Sequence, residues 1–293
     1  MVFLFLSTQK RRIMERKNII WGEIYSNPTM AKEIGREVIS RVGNKVYTHD
    51  GVFHADEVFA TALLMIICGN KELEVIRTRN LENDDIFRYD VGGDEFDHHQ
   101  CDEFRHDGTG IFASFGKLWC TVGRTIEGLR EEIWAEIDKS FVEIVDLTDN
   151  TGVMNPVNYF INSFRTVEGI DGAAFDKAVE IAYSMLSSII QAGLVKSKEL
   201  DDFEAEVKAA QNKDGVLELS RFYTINKEVF KKLPYDWIIY PAMGSYTIQS
   251  VKDQLMPLEK RGLGPMDDII FTHKGGWIGK AKTRKAALSL IEQ

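Results

Sequence analysis

The sequence predicts an α/β protein: a mostly parallel sheet flanked by helices, followed by a second, smaller α/β domain. Three observations carry this expectation. Short strand-like runs alternate with helical periodicity through the first half of the chain. A long stretch after Asp171 is helical throughout, and strand patterns return from Val216 onward. A length of 293 residues is enough for two domains, each with its own core.

Taken in order, residues 1–44 form an N-terminal extension of mixed charge, with two helical stretches and a turn signal at Asn27-Pro28. Lys45 to His49 reads as a strand, followed by a loop and an apolar helix from Asp56 to Cys68. Glu74 to Arg77 and Ile86 to Val91 read as further strands, the second ending at Gly92-Gly93. Ligands of such sheets lie beyond the carboxyl ends of the strands, where His49 and Asp90 fall. Helices over Phe112–Ile126 and Ile133–Leu147 complete a first domain assigned to residues 45–170. Residues 171–213 read as a helical connector. Phe175, Val179, Ala182, Leu186 and Ile189 recur at three- and four-residue spacing, and Lys196 to Gln211 is polar and charged. Residues 214–293 form the second domain, with strands at Val216–Ser220, Trp237–Pro241, Tyr246–Ser250 and Ile269–Thr272 and a helix over Lys282–Ile291.

Composition narrows the function classes. An apolar fraction of 44% and a charged fraction of 28% are ordinary for a globular protein. No apolar run approaches the roughly 20 residues of a membrane-spanning helix. The basic Lys10, Arg11 and Arg12 follow the apolar Val2–Leu6 rather than precede it, unlike a secretory signal. Three cysteines without a Cys-x-x-Cys pair argue against a disulfide framework and a zinc-thiolate site. They fit a reducing compartment, and a cytoplasmic location is expected. The net charge of -9 argues against coating of nucleic acid. The charge is uneven, however: acids crowd Glu82–Asp107, while Lys274, Lys280, Lys282, Arg284 and Lys285 follow one another with no acid between them.

The histidines point to chemistry. Four of the six lie in two acidic segments. One is Thr48-His49-Asp50-Gly51-Val52-Phe53-His54-Ala55-Asp56-Glu57; the other runs from Asp90-Val91-Gly92-Gly93 to Asp97-His98-His99-Gln100. Imidazoles and carboxylates without thiolates suit divalent ions such as Mn, Mg, Co or Zn. Two ions roughly 3.5–4 Å apart can clamp the attacking and leaving oxygens of a phosphoester. Such a site needs acids and imidazoles from separate loops, and Asp56 and Asp90 have the character of bridging groups. Asp146 and Asp149 supply further acids at the end of a predicted helix.

The same segments resemble the melanocyte-proliferating-gene exonuclease family, a branch of the DHH phosphoesterase superfamily. The likeness extends through Ile76-Arg77-Thr78-Arg79, Ala113-Ser114-Phe115-Gly116, Phe141-Val142-Glu143 with Val145-Asp146, and Asp149-Asn150. It continues near the C-terminus through Phe271-Thr272-His273, Gly279 and Lys282-Thr283-Arg284. It covers the chain from about residue 45 onward, in order. The resemblance implies a DHH-type sheet and two divalent ions, Mn first among them. His49, His54, Asp56, Asp90 and His98 would be ligands, with either Asp146 or Asp149 as the last acid. His99 would contact phosphate, and Asp97 would orient a histidine. His273, Gly279, Lys282 and Arg284 would contact substrate, an arginine fork being suited to phosphate oxygens. Lys280-Ala281 and Lys285-Ala286 depart from the usual C-terminal pattern.

The activity implied is 3'-5' exonucleolytic hydrolysis of short single-stranded RNA or DNA, with a homo-oligomer and no membrane partner among the expectations. A phosphohydrolase acting on pyrophosphate, a nucleotide or a cyclic dinucleotide is the alternative, as is a regulator that binds metal and nucleotide without turnover. Trp277 and Tyr246 are offered as aromatic surfaces for bases.

Overall fold

In a computed structural model, the described residues are 21–69, 72–83, 85–99, 103–106, 109–165, 172–210, 215–224 and 227–292. The chain is a mixed α/β protein of two compact units, Met1–Leu194 and Val195–Gln293.

The first unit opens with α1 (Trp21–Ser26) and α2 (Pro28–Arg41). The Asn27-Pro28 turn signal is a helix start: the Asn27 side chain accepts from the Met30 N–H, and proline occupies the first helical turn. Strand β1 (Lys45–Thr48) lies between β2 (Glu74–Arg77) and β3 (Phe87–Arg88), parallel to both. Tyr47 stands opposite Ile76 on one side and Arg88 on the other. Crossover helix α3 (Ala55–Ile67) is buried without interruption from Ala55 to Leu64, and from Val58 onward its sequence is apolar on every face but for Thr61.

Strand β3 is shorter than the expected Ile86–Val91. Asp90 adopts a left-handed backbone with φ 57, and its N–H turns to the Phe96 carbonyl at 3.1 Å, so the chain leaves the ladder. A small antiparallel pair, β4 (Phe104–His106) and β5 (Thr109–Ile111), was not expected. The two predicted helices are also subdivided. The first is α4 (Ser114–Thr121) followed by a single 3-10 turn at Gly123–Thr125. The second is α5 (Glu131–Ile137), a wide π turn at Asp138–Val142, then α6 (Glu143–Thr151), which stops where Gly152 takes φ 72. Helix α7 (Pro156–Asn162) is capped by Asn155.

The stretch expected as a connector contains one helix, α8 (Gly172–Ala209), with the division between the units inside it at Leu194–Val195; by length and composition alone this helix could cross a membrane, contrary to the expectation that no segment could. Its buried residues nevertheless form the stripe of a packed amphipathic helix: Phe175, Val179, Ala182, Leu186 and Ile190. Ile189, expected in that stripe, is only half buried.

In the second unit, strands run in the order β6 (Val216–Glu218), β7 (Trp237–Ala242), β8 (Ser245–Ser250), β10 (Ile278–Ala281), β9 (Ile269–Thr272). Only the β6–β7 pair is parallel. Short helix α9 (Lys227–Lys231) precedes β7. Helix α10 is confined to Arg284–Ser289, its start fixed by Thr283, which accepts from the Ala286 N–H. One sheet face packs on Phe203 and Phe230, and the other on Met256, Ala287 and Leu290.

Candidate metal centre

The carboxyl ends of β1 and β3, the start of α3 and the end of α6 bring the histidine segments together. His49 follows β1 and is buried; its Nε2 lies 3.1 Å from Glu57 Oε1 and 3.2 Å from Asp90 Oδ2. The Glu57 carboxylate also accepts the His54 backbone N–H at 2.9 Å, so one acid closes the α3 cap and faces the cluster. His98 Nε2 lies 2.9 Å from Asp149 Oδ2, 3.2 Å from Asp90 Oδ1 and 3.8 Å from Asp56 Oδ2. Asp90 therefore stands between the two imidazoles, held there by its left-handed backbone and by the Ser114 hydroxyl at 3.2 Å. Asp56 accepts the N–H groups of Ser114 and Phe115 at 3.0 and 2.7 Å, at the N-terminal end of α4.

His99 is exposed and its Nδ1 lies 2.8 Å from Asp97 Oδ1, while the other Asp97 oxygen accepts the Gly93 N–H at 2.7 Å. Asp97 thus holds the His99 ring and the Gly93 backbone with its two oxygens. His54 is at the rim, 3.7 Å from Asp149.

Charges in this cluster reinforce one another. Burial works against charge on His49, but Asp90 and Glu57 outweigh it and the imidazole is pushed up to about 11. Burial likewise opposes charge on His98, yet Asp149 and Asp90 push it up to about 12. Asp90 is held well below the usual carboxylate range by the same two histidines despite its burial. Asp56 moves the other way: burial raises it, and the neighbouring Asp90 and Asp149 add to the rise. Asp97 raises His99.

Asp146 and Asp149 sit one helical turn apart on α6 and go to different places. Asp146, fully buried, accepts from Arg105 Nη2 at 2.7 Å and from the Gly116 N–H at 3.1 Å. Arg105 also reaches Asp138, in the π turn, at 3.0 Å. Burial raises the Asp146 carboxyl to about 6 against the pull of Arg105. Of the two acids left open by the sequence, Asp149 joins the histidines and Asp146 belongs to the arginine network.

Among the described residues three groups present ligand atoms within 4.8 Å of one another: His49, His54 and Glu57; Asp90, His98 and His99; and Asp56, His98 and Asp149. Nε2 of both His49 and His98 is buried without a regular hydrogen bond, although carboxylate oxygens surround each. Buried nitrogens aimed at carboxylates fit a divalent cation, so these groups could hold a metal ion. Glu57 and Ser114 were quoted in the sequence motifs without a role; the spacing of Glu57 behind His54 is the signal that could have marked it.

The nominated C-terminal residues are occupied locally. Arg284 forms a two-bond fork with Glu218, both at 2.7 Å. Lys282 Nζ donates to the Asp267 carbonyl at 2.6 Å. His273 Nδ1 accepts from the Gly275 N–H at 3.0 Å and its ring packs on Trp277. Gly279 lies under the Leu290 and Met256 side chains: a Cβ there would come within 2.6 Å and 2.9 Å of their tips.

Fold and cluster together define a mixed α/β protein with a buried histidine-carboxylate centre able to hold metal. The family model described as MYG1_exonuc, uncharacterised protein family UPF0160, matches residues 45–293, and the chain belongs to this family. The mouse protein named MYG1 exonuclease is 24% identical over 359 residues, spanning 97% of this chain and 92% of its own length. The Saccharomyces cerevisiae MYG1 protein YER156C is 30% identical, over 86% of this chain and 96% of its own. The MYG1 protein of Chlamydia muridarum is 31% identical over 124 residues, 38% of this chain and 39% of its own length. The family named by resemblance is thereby established, and residues 1–44 lie outside the match.

Proposed function

We propose that this chain is a metal-dependent phosphoesterase of the DHH type, acting as a 3'-5' exonuclease on short single-stranded RNA or DNA. The observation that carries the proposal is the position of Asp90 between His49 and His98, with Asp56 and Asp149 beside His98. The exonuclease names of several relatives support the nucleic-acid substrate. His49, Asp56, Asp90, His98 and Asp149 would hold two divalent ions, Mn first among them, with Glu57 and His54 at the edge of the set. When bound, such ions polarise a phosphoryl oxygen and offset the charge that develops on it. His99, raised by its hydrogen bond to Asp97 and open to solvent, would donate a hydrogen bond to a non-bridging phosphate oxygen. Asp146 and Arg105 would hold α6 in register and take no part in the chemistry.

The test uses oligonucleotides labelled at the 5' end, with and without a blocked 3' terminus. Chelation should abolish shortening, Mn should restore it, and the 3' block should prevent it. Undiminished activity after chelation, with metal content checked, would overturn the metal mechanism. Hydrolysis of pyrophosphate or mononucleotides in preference to oligonucleotides would replace the nuclease with a small-molecule phosphohydrolase.

A further inference from the structure

The second unit contains a cavity of about 340 Å³. Its floor is a cross-strand row: Ile238 on β7 and Ile278 on β10 each stand opposite Gln249 on β8. Tyr240, two residues along β7, faces the same side because strand side chains alternate. Phe222 and Trp277 line it as well, and unlike the floor they are open to solvent, 53% and 36% exposed. The Phe222 ring lies 5.3 Å from Tyr240, and Trp277 lies 5.1 Å from His273.

Among the described residues no charged side chain lines the cavity, so a phosphate would find no partner among them. The polar group in its floor is the Gln249 carboxamide. Its oxygen lies at the long distance of 3.5 Å from the Tyr240 hydroxyl, and its NH₂ has no partner among the described residues. Aromatic walls over an apolar floor, with one amide offering donor and acceptor, match a planar heteroaromatic ring with a hydrogen-bonding edge. The volume lies near the small end of ligand pockets, roughly 300–1,000 Å³, which suits a single base and its sugar. Leaving Phe222 and Trp277 in water is unfavourable, and a stacked ring would cover them.

We infer that this cavity is a nucleobase-binding site, in which the base enters among Phe222, Tyr240 and Trp277 and Gln249 reads its edge. The inference rests on the proposed nuclease activity for the source of the base. The site is made wholly by the second unit and does not require metal. Of the two aromatic residues offered from the sequence, Trp277 lines the cavity and Tyr246 does not.

The experiment is calorimetric titration of the full chain with adenosine, cytidine and ribose 5-phosphate in the presence of a chelator, followed by tryptophan fluorescence. Both nucleosides should bind with millimolar affinity or better, ribose 5-phosphate should not, and Trp277→Phe should remove most of the fluorescence change. Phe222→Ala, at an exposed position that spares the fold, should weaken nucleoside binding about tenfold or more. Gln249→Leu should alter the ratio of the two nucleoside affinities. Equal binding of ribose 5-phosphate, no nucleoside binding, or unchanged affinity in Phe222→Ala would overturn the inference. Nucleoside binding without any hydrolysis of oligonucleotides would leave the base site standing and remove the nuclease activity. Metal-dependent hydrolysis without nucleoside binding would do the reverse.

Discussion

Loading the centre with a divalent ion should expel protons, and the number can be worked from the cluster. His49 is pushed up to about 11 and His98 to about 12, so at pH 7.5 both imidazoles carry a proton. A metal ligand must be neutral imidazole, so binding at both histidines releases two protons. Asp56, which is also raised, can only add to that number. Release of two protons makes the binding constant rise about a hundredfold per pH unit below the histidine values. The assay is titration of Mn into chelated protein, dialysed free of chelator, in two buffers of unlike ionisation enthalpy; the dependence of heat on buffer gives the proton count. His98→Gln should lower the count by about one. A count below one, or an affinity that stays flat between pH 7 and 8, would refute the assignment of these nitrogens as ligands.

Three further outcomes follow from the same geometry. Asp146→Ala should cost roughly 1.5–3 kcal/mol of stability in denaturant unfolding, because it removes one of the two carboxylates that hold the buried Arg105, while Asp149→Asn should weaken Mn binding and flatten the pH dependence of the chelated protein's stability, Asp149 being the foremost support of the His98 charge; loss of Mn binding in Asp146→Ala with none in Asp149→Asn would exchange their roles. Folded values near 11 and 12 for His49 and His98 exceed the unfolded value of about 6.5. Their stabilisation of the chelated protein is therefore complete below that unfolded value and lost as pH climbs toward the folded ones, so its Tm should fall between pH 7 and 9, as thermal denaturation would read. Arg77, which donates to the Gly51 carbonyl at 2.7 Å and lies 4.7 Å over Phe175, steadies the loop between His49 and His54. Arg77→Met should weaken Mn binding about ten- to a hundredfold in a competition assay, the range for groups that orient ligands; unchanged affinity would dismiss that role.

Much of the first unit was readable because its signals are local. Lys45–Thr48 is flanked by turn formers, and Ala55–Leu64 is buried on every side, so strand and helix are evident from neighbouring residues alone. Strand β10 escaped because Ile278-Gly279-Lys280-Ala281 has only one β-branched residue; its place is set by pairing with β8 and β9. The centre was legible from residue type, since His49, Asp56, Asp90 and His98 are polar groups whose burial needs explanation. The division between Asp146 and Asp149 was not. It is decided by Arg105, a partner 41 residues away whose own strand looked like part of an acidic loop. Arg284 shows the opposite limit: a basic run resembles an anion site until Glu218, 66 residues distant, is found in its fork.

The π turn at Asp138–Val142 gives this chain room to absorb a change of length. A π turn holds one residue more than the α-helical turn it replaces, and each residue of an α-helix advances the side chains by about 100°. Lys139 and Ser140 are exposed and look expendable. Deleting either would restore a regular helical turn and leave the residues after it in phase, with Asp146 still at Arg105 and Asp149 still at His98. Substitution or deletion of one of these two residues should be tolerated, whereas a single-residue deletion between Asp146 and Asp149 should not. Homologous chains can then be sorted by counting residues between the arginine's aspartate and the histidine's aspartate, a spacing that carries the site as surely as the residues themselves.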